Sequence, residues 1–286
     1  MHKFFYIVFC LVLVYAILLM LPGYGHVQSI PFYQHQSFNN IAHGTGRELM
    51  PGNTLEGAFN AVNMGADIIE LDVHLTLDKV VVVRHDATVD ATTNGSGLIA
   101  DMRLAELQAL DVGFHETDYP GKASAAGIRI PTLESLFLAL PDERFLIELK
   151  PDDVETGIQL CQLILAHDLG DQVLVGSFYS RVLEDFRQGC PKVPTSLGEE
   201  EALVFVLLSW IGLGHLYNSP GYSVQLPFEY YGVKLVYGPL IKAADELNLM
   251  VDVWTINDSQ EMVKLINLGV SGINTDRPEI LQAIDI

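Results

Sequence analysis

Basic residues are scarce in this sequence. Its 286 residues include 16 Lys and Arg against 36 Asp and Glu, which gives a formal net charge of −20. Proteins that bind nucleic acid present a basic face to the phosphate backbone. The charge balance therefore argues against nucleic acid as a partner.

Cysteine is also scarce, with only Cys10, Cys161 and Cys190. Three scattered cysteines indicate neither a disulfide framework nor a zinc site. Their spacing does not favour a bridge between Cys161 and Cys190, although it leaves one open. Stability must then come from an apolar core, and 49% of the residues are hydrophobic. A single-domain α/β barrel needs about 250 residues and fits this length.

One uncharged run near the N-terminus, residues 4–21, is long enough to cross a bilayer. No small-x-small cleavage motif follows it, which favours an uncleaved anchor over a secretory signal peptide. We expect a membrane anchor or signal segment at 1–25 and a linker at 26–38. With Lys3 and the short N-terminus inside, the rest of the chain lies on the extracytoplasmic side.

A second uncharged segment, residues 202–213, is too short to span a bilayer. The simpler interpretation is a barrel helix that is buried on two sides. The alternative is a helix in the membrane interface, which Trp210 and Tyr217 would suit. Periodicity alone cannot separate the two interpretations.

The most informative stretch, residues 68–73, reads Ile-Ile-Glu-Leu-Asp-Val and predicts a buried strand. Its two acids, Glu70 and Asp72, are two positions apart, so they share one face of the strand about 7 Å apart. Carboxylates side by side on a buried face need a proton, a cation or a metal between them. A turn at Asp78-Lys79 then returns the chain through four valines and brings His85 to the same end.

Eight strands separated mostly by helices predict an α/β fold, a parallel TIM (β/α)8 barrel over residues 39–286. A hairpin follows the second strand, and residues 87–132 form an insertion. The strands are predicted at 41–43, 68–73, 145–150, 173–178, 193–197, 223–226, 251–256 and 272–275.

Polar residues at the carboxyl ends of barrel strands form the active sites of such folds. The residues near such ends are His43, Glu70, Asp72, Glu148, Lys150, Trp254 and Asn257. Trp254 either lines the substrate pocket or belongs to the core.

A series of short motifs runs through the chain in a characteristic order and spacing. Together they resemble the glycerophosphodiester phosphodiesterase family, over about residues 41–281. The motifs are His43, Asn53-Thr54-Leu55, residues 65–73, His85-Asp86, Thr92-Thr93-Asn94-Gly95, Ile130-Pro131-Thr132-Leu133, Ile147-Glu148-Leu149-Lys150, residues 253–257 and residues 272–278.

The resemblance implies hydrolysis of glycerophosphodiesters to an alcohol and glycerol 3-phosphate. It also implies one divalent cation, Ca²⁺ or Mg²⁺, bound by Glu70, Asp72 and Glu148. The chemistry of the residues agrees, because an all-carboxylate site suits a hard cation better than zinc.

The resemblance further implies that His43 and His85 are the acid/base pair and that Lys150 binds the substrate phosphate. Imidazole groups can take a proton from a nucleophile and return one to a leaving oxygen near neutral pH. In the family the nucleophile is the substrate's own glycerol hydroxyl, which would give a cyclic phosphate that water then opens.

The chain departs from the family pattern in two places. The family has arginine and glycine directly after the first histidine, whereas His43 is followed by Gly44-Thr45-Gly46-Arg47. The family's Pro-Glu-Asn-Thr is replaced by residues 51–54, which lack the acid. We therefore hypothesise that Arg47, or backbone N–H groups of this loop, contact the phosphate.

Two alternative functions remain open at this level. One is a related lipid phosphodiesterase of the phospholipase C or D type, and the other is a non-catalytic barrel that binds lipid. Within the favoured function, the run at 4–21 and the segment at 202–213 suggest contact with membrane lipid. They also suggest that lysophospholipids are substrates.

Overall fold

The computed structural model describes residues 2–23, 25–33, 38–113 and 127–285. Its central element is a curled parallel sheet in the order β5-β4-β2-β1-β10-β9-β6, with β3 antiparallel to β2. The strands are β1 (Asn39–Ala42), β2 (Ile68–Leu75), β3 (Val81–Val83), β4 (Arg144–Leu149), β5 (Val173–Gly176), β6 (Ser223–Pro227), β7 (Glu229–Tyr230), β8 (Val233–Lys234), β9 (Met250–Trp254) and β10 (Gly272–Thr275).

Helices alternate with these strands and cover the outside of the sheet, which confirms the predicted α/β fold as a TIM-like barrel. The helices are α1 (His2–Met20), α2 (Leu55–Asn63), α3 (Leu104–Leu107), α4 (Leu133–Ala139), α5 (Val154–Ala166), α6 (Ser180–Gly189), α7 (Glu199–Trp210), α8 (Gly238–Leu247), α9 (Ser259–Leu268) and α10 (Pro278–Gln282).

Local sequence signals set several of these elements. All eight residues of β2 are buried, and the chain returns antiparallel through β3 as the valine run predicts. The Thr54 hydroxyl caps α2 by accepting a hydrogen bond from the Gly57 N–H. Thr132 caps α4 in the same way through the Ser135 N–H. Both threonines satisfy backbone donors that a helix start leaves free.

The prediction of a strand at 193–197 is wrong. Within the described residues, this segment makes only two isolated parallel bridges, Thr195 with Val175 on β5 and Ser196 with Ser223 on β6. Pro194 has no backbone N–H, so a longer ladder of hydrogen bonds cannot form there. The two bridges nevertheless join β5 to β6 and complete the barrel.

The predicted linker at 26–38 is wrong in its middle. Phe32 and Tyr33 are buried in a short 3₁₀ turn, and the Tyr33 hydroxyl donates to Asp252 Oδ2 at 2.7 Å. Arg144 Nη1 donates to the Phe32 carbonyl at 2.6 Å. Residues 34–37 lie outside the described part of the chain. The aromatic pair packs against apolar side chains of β1 and β4, and it thereby closes the amino-terminal end of the barrel.

The interpretation of 202–213 as a helix buried on two sides is also wrong. Helix α7 buries Ala202, Phe205 and Val206 against the barrel, while Leu203 and Leu207 on its other side are exposed. A single buried stripe is the usual arrangement for a barrel helix. The alternation of apolar residues around the whole helix concealed this one-sided burial.

Cys161 and Cys190 form a disulfide, contrary to the expectation from their spacing. Cys161 lies on α5 and Cys190 directly follows α6, and these two helices pack against each other. Their Cα atoms are 5.9 Å apart, within the range that a bridge requires. Helix packing brought together two cysteines that are 29 positions apart.

The N-terminal helix α1 contains an 18-residue window, Lys3–Met20, with a mean hydropathy of 2.5 and no buried share. It is long and apolar enough to cross a membrane, and a signal sequence would pass the same test. The predicted insertion at 87–132 includes residues 114–126, which lie outside the described residues. Its described part packs a small apolar cluster, including Val89, Ile99 and Leu107, over the outer end of the β2–β3 hairpin.

Candidate active site

The residues predicted from strand ends converge at the carboxyl end of the barrel. A cavity of about 790 Å³ opens there, and Asp72 lies just beneath its wall, 1% exposed. The predicted residues that line the cavity are His43, Arg47, Glu70, His85, Glu148, Lys150 and Trp254.

Three carboxylates form an acidic cluster at the floor of this cavity. Glu70 and Asp72 lie on β2, and Glu148 is the direct neighbour of Asp72 in the pairing of β2 with β4. One oxygen from each of the three lies within 4.8 Å of the others. Burial, then the neighbouring Asp72, raises the pKa of Glu70 well above its usual range and that of Glu148 to about 6. The cluster therefore favours any positive charge that enters it.

Lys150 contacts this cluster directly. Its Nζ lies 3.1 Å from Asp72 Oδ1 and 3.1 Å from Glu148 Oε1. Burial alone would lower the pKa of Lys150, but Asp72 and Glu148 outweigh it and raise the pKa. One ammonium group cannot neutralise three carboxylates. The all-oxygen donor set and its remaining negative charge therefore fit a hard divalent cation.

The loops that depart from the family pattern hold the acidic cluster in place. The backbone N–H of Gly44 donates to Glu70 Oε2. Asn53 donates through Nδ2 to Asp72 Oδ2 at 2.8 Å and accepts from the Asp72 N–H at 3.0 Å. Gly44, Thr45 and Gly46 all have positive φ, at 50°, 63° and 75°. Such a left-handed run favours glycine, which explains the residue type at 44 and 46, whereas Thr45 adopts a φ that is rare for a β-branched residue.

His43 is oriented by a carboxylate from the far end of the chain. Its Nδ1 lies 2.7 Å from Asp276 Oδ1. Arg47 donates through Nε to the same oxygen at 2.8 Å, and Asn257 donates to Asp276 Oδ2 at 2.8 Å. Burial would raise the pKa of Asp276, but the hydrogen bond and charge of His43, with Asn257 and Arg47, lower it. Asp276 is therefore a carboxylate that accepts from His43 Nδ1–H.

His85 has a similar arrangement on the other side of the cavity. Its Nδ1 lies 2.7 Å from Asp86 Oδ1, and its side chain is 49% exposed. The His85 carbonyl lies 3.1 Å from Nε2 of the buried His74. Burial lowers the pKa of His74, so its neutral ring can donate this hydrogen bond. In both cavity histidines Nδ1 thus contacts a carboxylate, so that Nε2 remains to contact a substrate.

Asp276 and Asn53 are site residues that the sequence analysis left without a role. Both lie in recognised motifs, residues 272–278 and 53–55, so position in a motif was the available signal. Their partners, His43 and Asp72, are distant in sequence. Trp254, for which the sequence left pocket and core open, lines the cavity, and its ring makes an edge contact with Phe178 at 5.8 Å between centroids.

The fold and this arrangement define a class of protein. Acidic and imidazole groups meet at the carboxyl ends of the strands of a TIM-like barrel, which is where enzymes of this fold carry out their chemistry. The chain presents an acidic cluster, a lysine and two oriented histidines in one cavity. These groups are suited to hydrolysis of a phosphate ester.

Comparison with known proteins agrees with this class. The sequence profile of the glycerophosphoryl diester phosphodiesterase family matches residues 43–280. The chain is 31% identical over 253 residues to the glycerophosphodiester phosphodiesterase of Caldanaerobacter subterraneus subsp. tengcongensis, across 84% of this chain and 95% of that protein. It is 25% identical over 268 residues to lysophospholipase D GDPD1 of Mus musculus, across 85% and 84% of the two chains.

A solved structure supports the fold. The Oleispira antarctica phosphodiesterase in complex with the product sn-glycerol-3-phosphate superposes with a TM-score of 0.71 and 24% identity. The match covers 85% of this chain and 94% of that one. The chain belongs to the glycerophosphoryl diester phosphodiesterase family and is a phosphoric diester hydrolase, which confirms the resemblance found in the sequence.

Proposed function

We propose that the protein hydrolyses glycerophosphodiesters to an alcohol and glycerol 3-phosphate with the help of one divalent cation, Ca²⁺ or Mg²⁺. The observation that carries this proposal is the placement of two carboxylate-oriented histidines beside the acidic cluster in one cavity. Glu70, Asp72 and Glu148 would hold the cation. When bound, it supplies positive charge that neutralises the phosphate and polarises its oxygens.

The side chains of the protein divide the remaining work. Lys150 projects its ammonium group into the cavity from the cluster and can contact a phosphate oxygen. With Nδ1 of each ring held by a carboxylate, His43 and His85 present Nε2 to the substrate. One histidine takes the proton of the attacking glycerol hydroxyl, and the other gives a proton to the leaving alcohol oxygen. Water then opens the resulting cyclic phosphate to glycerol 3-phosphate, with the two histidines exchanging the proton-donor and proton-acceptor roles. Arg47 lines the cavity and is proposed to contact the phosphate as well.

Lysophospholipids are a second proposed substrate group. The cavity continues from the histidines to an apolar end lined by Leu203, Trp210 and Tyr231. A glycerophosphodiester that carries one acyl chain could place its phosphate at Lys150 and the chain along this end. Trp254 and Phe178 also line the cavity and would contact the glycerol portion.

We also propose that the protein is membrane-anchored. Residues 1–25 would form the anchor or signal segment, with α1 crossing the bilayer, and 39–286 the catalytic unit. The Cys161–Cys190 disulfide supports an extracytoplasmic location for the barrel, because disulfides persist in oxidising compartments. Membrane lipid would be contacted through 4–21 and through 202–213.

The test is release of glycerol 3-phosphate from glycerophosphocholine by the full chain in detergent. EDTA should abolish turnover, and added Ca²⁺ or Mg²⁺ should restore it. His43→Ala and His85→Ala should each lower kcat by about 100-fold or more, as loss of an acid/base group does. Glu148→Gln should also remove the rise in melting temperature that the cation produces, a readout that needs no turnover.

The matched control is His167→Ala, since His167 contacts Glu134 and not the cavity. Its turnover should equal that of the unaltered protein. Turnover that persists in EDTA, or in both cavity histidine variants, would contradict the proposal. Phosphocholine in place of glycerol 3-phosphate as the product would favour a phospholipase C type of cleavage.

A further inference from the structure

The outward face of α7 is apolar along most of its length. Phe205, Val206 and Ser209 are buried on its inner face, whereas large apolar side chains on the outer face are 46% to 54% exposed. Contiguous exposed apolar side chains on a folded protein usually mark a contact surface. These residues, called the α7 face below, are Leu203, Val204, Leu207, Trp210 and Ile211.

The charged residues of α7 are confined to its amino-terminal end, and Trp210 lies at its carboxyl-terminal end. Glu199, Glu200 and Glu201 occupy the first turn, and the α7 face has no charged residue. The whole chain has a formal net charge of −20. Any surface that covers the α7 face must therefore be held by apolar contact, because an anionic surface would repel the protein.

A short hairpin adds aromatic side chains to the wall of the active-site cavity. Strands β7 and β8 are joined by a two-residue turn, Tyr231-Gly232, in which both residues have positive φ. Such turns fix the direction of a hairpin tip. Tyr231 is 91% exposed at this tip, and its ring contacts that of Tyr230 at 4.5 Å between centroids. Val233 beside it is also exposed.

The position of α1 indicates what lies against these two elements. The Tyr15 hydroxyl donates to the Ile211 carbonyl at 2.6 Å, and the side chain of Leu19 lies beside Gly212. The carboxyl-terminal part of α1 thus meets the apolar end of α7. If α1 crosses a bilayer, this contact places the α7 face at the point where α1 leaves the hydrocarbon. Tryptophan is the residue type that favours this depth.

We propose that the α7 face and the β7–β8 hairpin insert into the outer part of the same bilayer that α1 crosses. Leu203, Trp210 and Tyr231 belong to this surface and also line the active-site cavity. The apolar end of the cavity then opens into the lipid and not into water. A single-chain glycerophospholipid enters sideways from the membrane, with its acyl chain along Trp210 and its phosphate moving towards Lys150. This inference rests on the proposed function for its catalytic part.

The insertion is tested directly by fluorescence, because α1 would hold the protein on vesicles in any case. The chain has two tryptophans, so Trp254→Phe leaves Trp210 alone. We expect brominated phosphatidylcholine in vesicles to quench Trp210 in the full chain, most strongly with bromine near the headgroup. Quenching by aqueous acrylamide without quenching by brominated lipid would overturn the proposal.

The sideways path is tested with Val204→Gln/Leu207→Gln, since neither residue lines the cavity. Turnover of lysophosphatidylcholine in phosphatidylcholine vesicles should fall about tenfold, as expected when apolar insertion is lost. Turnover of water-soluble glycerophosphocholine should be unchanged. Leu138→Gln alters a leucine on α4 that is 66% exposed and should change neither rate.

The outcomes separate this inference from the proposed function. Equal losses on both substrates, or no loss on the lipid, would overturn the insertion surface while leaving hydrolysis intact. If the unaltered protein hydrolyses neither substrate with Ca²⁺ or Mg²⁺ supplied, the proposed function fails. The quenching result still decides the membrane contact in that case, because it does not depend on turnover.

Discussion

His43 Nδ1 lies 2.7 Å from Asp276 Oδ1, although the two residues are 233 positions apart. Strands β1 and β10 are parallel neighbours in the barrel, and Ala42 is the register partner of Thr275. His43 directly follows β1 and Asp276 directly follows β10, so the barrel register brings the two residues together. This carboxylate selects the ring orientation that leaves Nε2 facing the cavity.

Asp276→Asn should lower kcat by about 10- to 1,000-fold, because an amide can donate to Nδ1 and reverse the tautomer of His43. KM should rise by a smaller factor than kcat falls, since Asp276 reaches the substrate only through His43 and Arg47. Steady-state kinetics with glycerophosphocholine separates the two constants. Asp276→Glu should recover part of kcat, and the surface change Asp285→Asn should have no effect. An unchanged kcat in Asp276→Asn would contradict this positioning role.

Arg47→Ala should raise KM or lower kcat by about tenfold or more, because the side chain is proposed to contact phosphate across the cavity. Arg47→Lys should recover little of the lost activity. Arginine can donate from Nε to Asp276 while its other nitrogens reach the substrate, whereas lysine has a single nitrogen for both contacts. The measurement is again turnover of glycerophosphocholine. Arg181→Ala, which alters an exposed arginine paired with Asp152, is the control. Full activity of Arg47→Ala would assign the phosphate contact to other groups.

The Asp252 carboxyl should make stability depend on pH. Burial raises its pKa to about 6, although the Tyr33 hydroxyl and Arg144 oppose the shift. A raised pKa stabilises the fold below the unfolded-state value near 3.9, and this contribution is lost as pH rises through about 6. The loss amounts to about 3 kcal/mol for a shift of about two units.

Urea unfolding of the full chain in detergent, at pH 4 to 7, checks this sign. The free energy of unfolding should fall with rising pH more steeply in the unaltered protein than in Asp252→Asn, which cannot titrate there. The comparison uses the difference between the two curves, so other titrating groups cancel. Parallel curves would show that Asp252 does not titrate in this range.

The Cys161–Cys190 bridge should contribute measurably to stability. It closes a segment of 29 positions, and cross-links of this span restrict the unfolded chain by about 2–4 kcal/mol. Cys161→Ala/Cys190→Ala should lower the free energy of unfolding by that amount in a denaturant titration.

Alkylation of the unfolded, unreduced protein tests the compartment at the same time. Cys10 is a free thiol and should be the single cysteine labelled. Labelling of all three cysteines in protein taken from its own membrane would contradict the bridge and, with it, the extracytoplasmic placement of the barrel.

Local patterns were sufficient for many elements of the fold and for the Glu70–Asp72 pair of the acidic cluster. The β-branched run of β2 predicts a strand, and its period of two places Glu70 and Asp72 on the same face of that strand. The order of the motifs identified the family, and threonines at helix starts located α2 and α4. These features depend on residues close together in sequence, where steric and hydrogen-bonding preferences act directly.

The tertiary structure decided the features that join distant parts of the chain. Barrel register paired His43 with Asp276, and packing of α5 on α6 joined Cys161 to Cys190. The exposure of one side of α7 and the burial of Phe32 likewise depend on what packs against each element. A sequence specifies which residues are apolar, but the side that becomes buried is set by neighbours that only the closed barrel supplies.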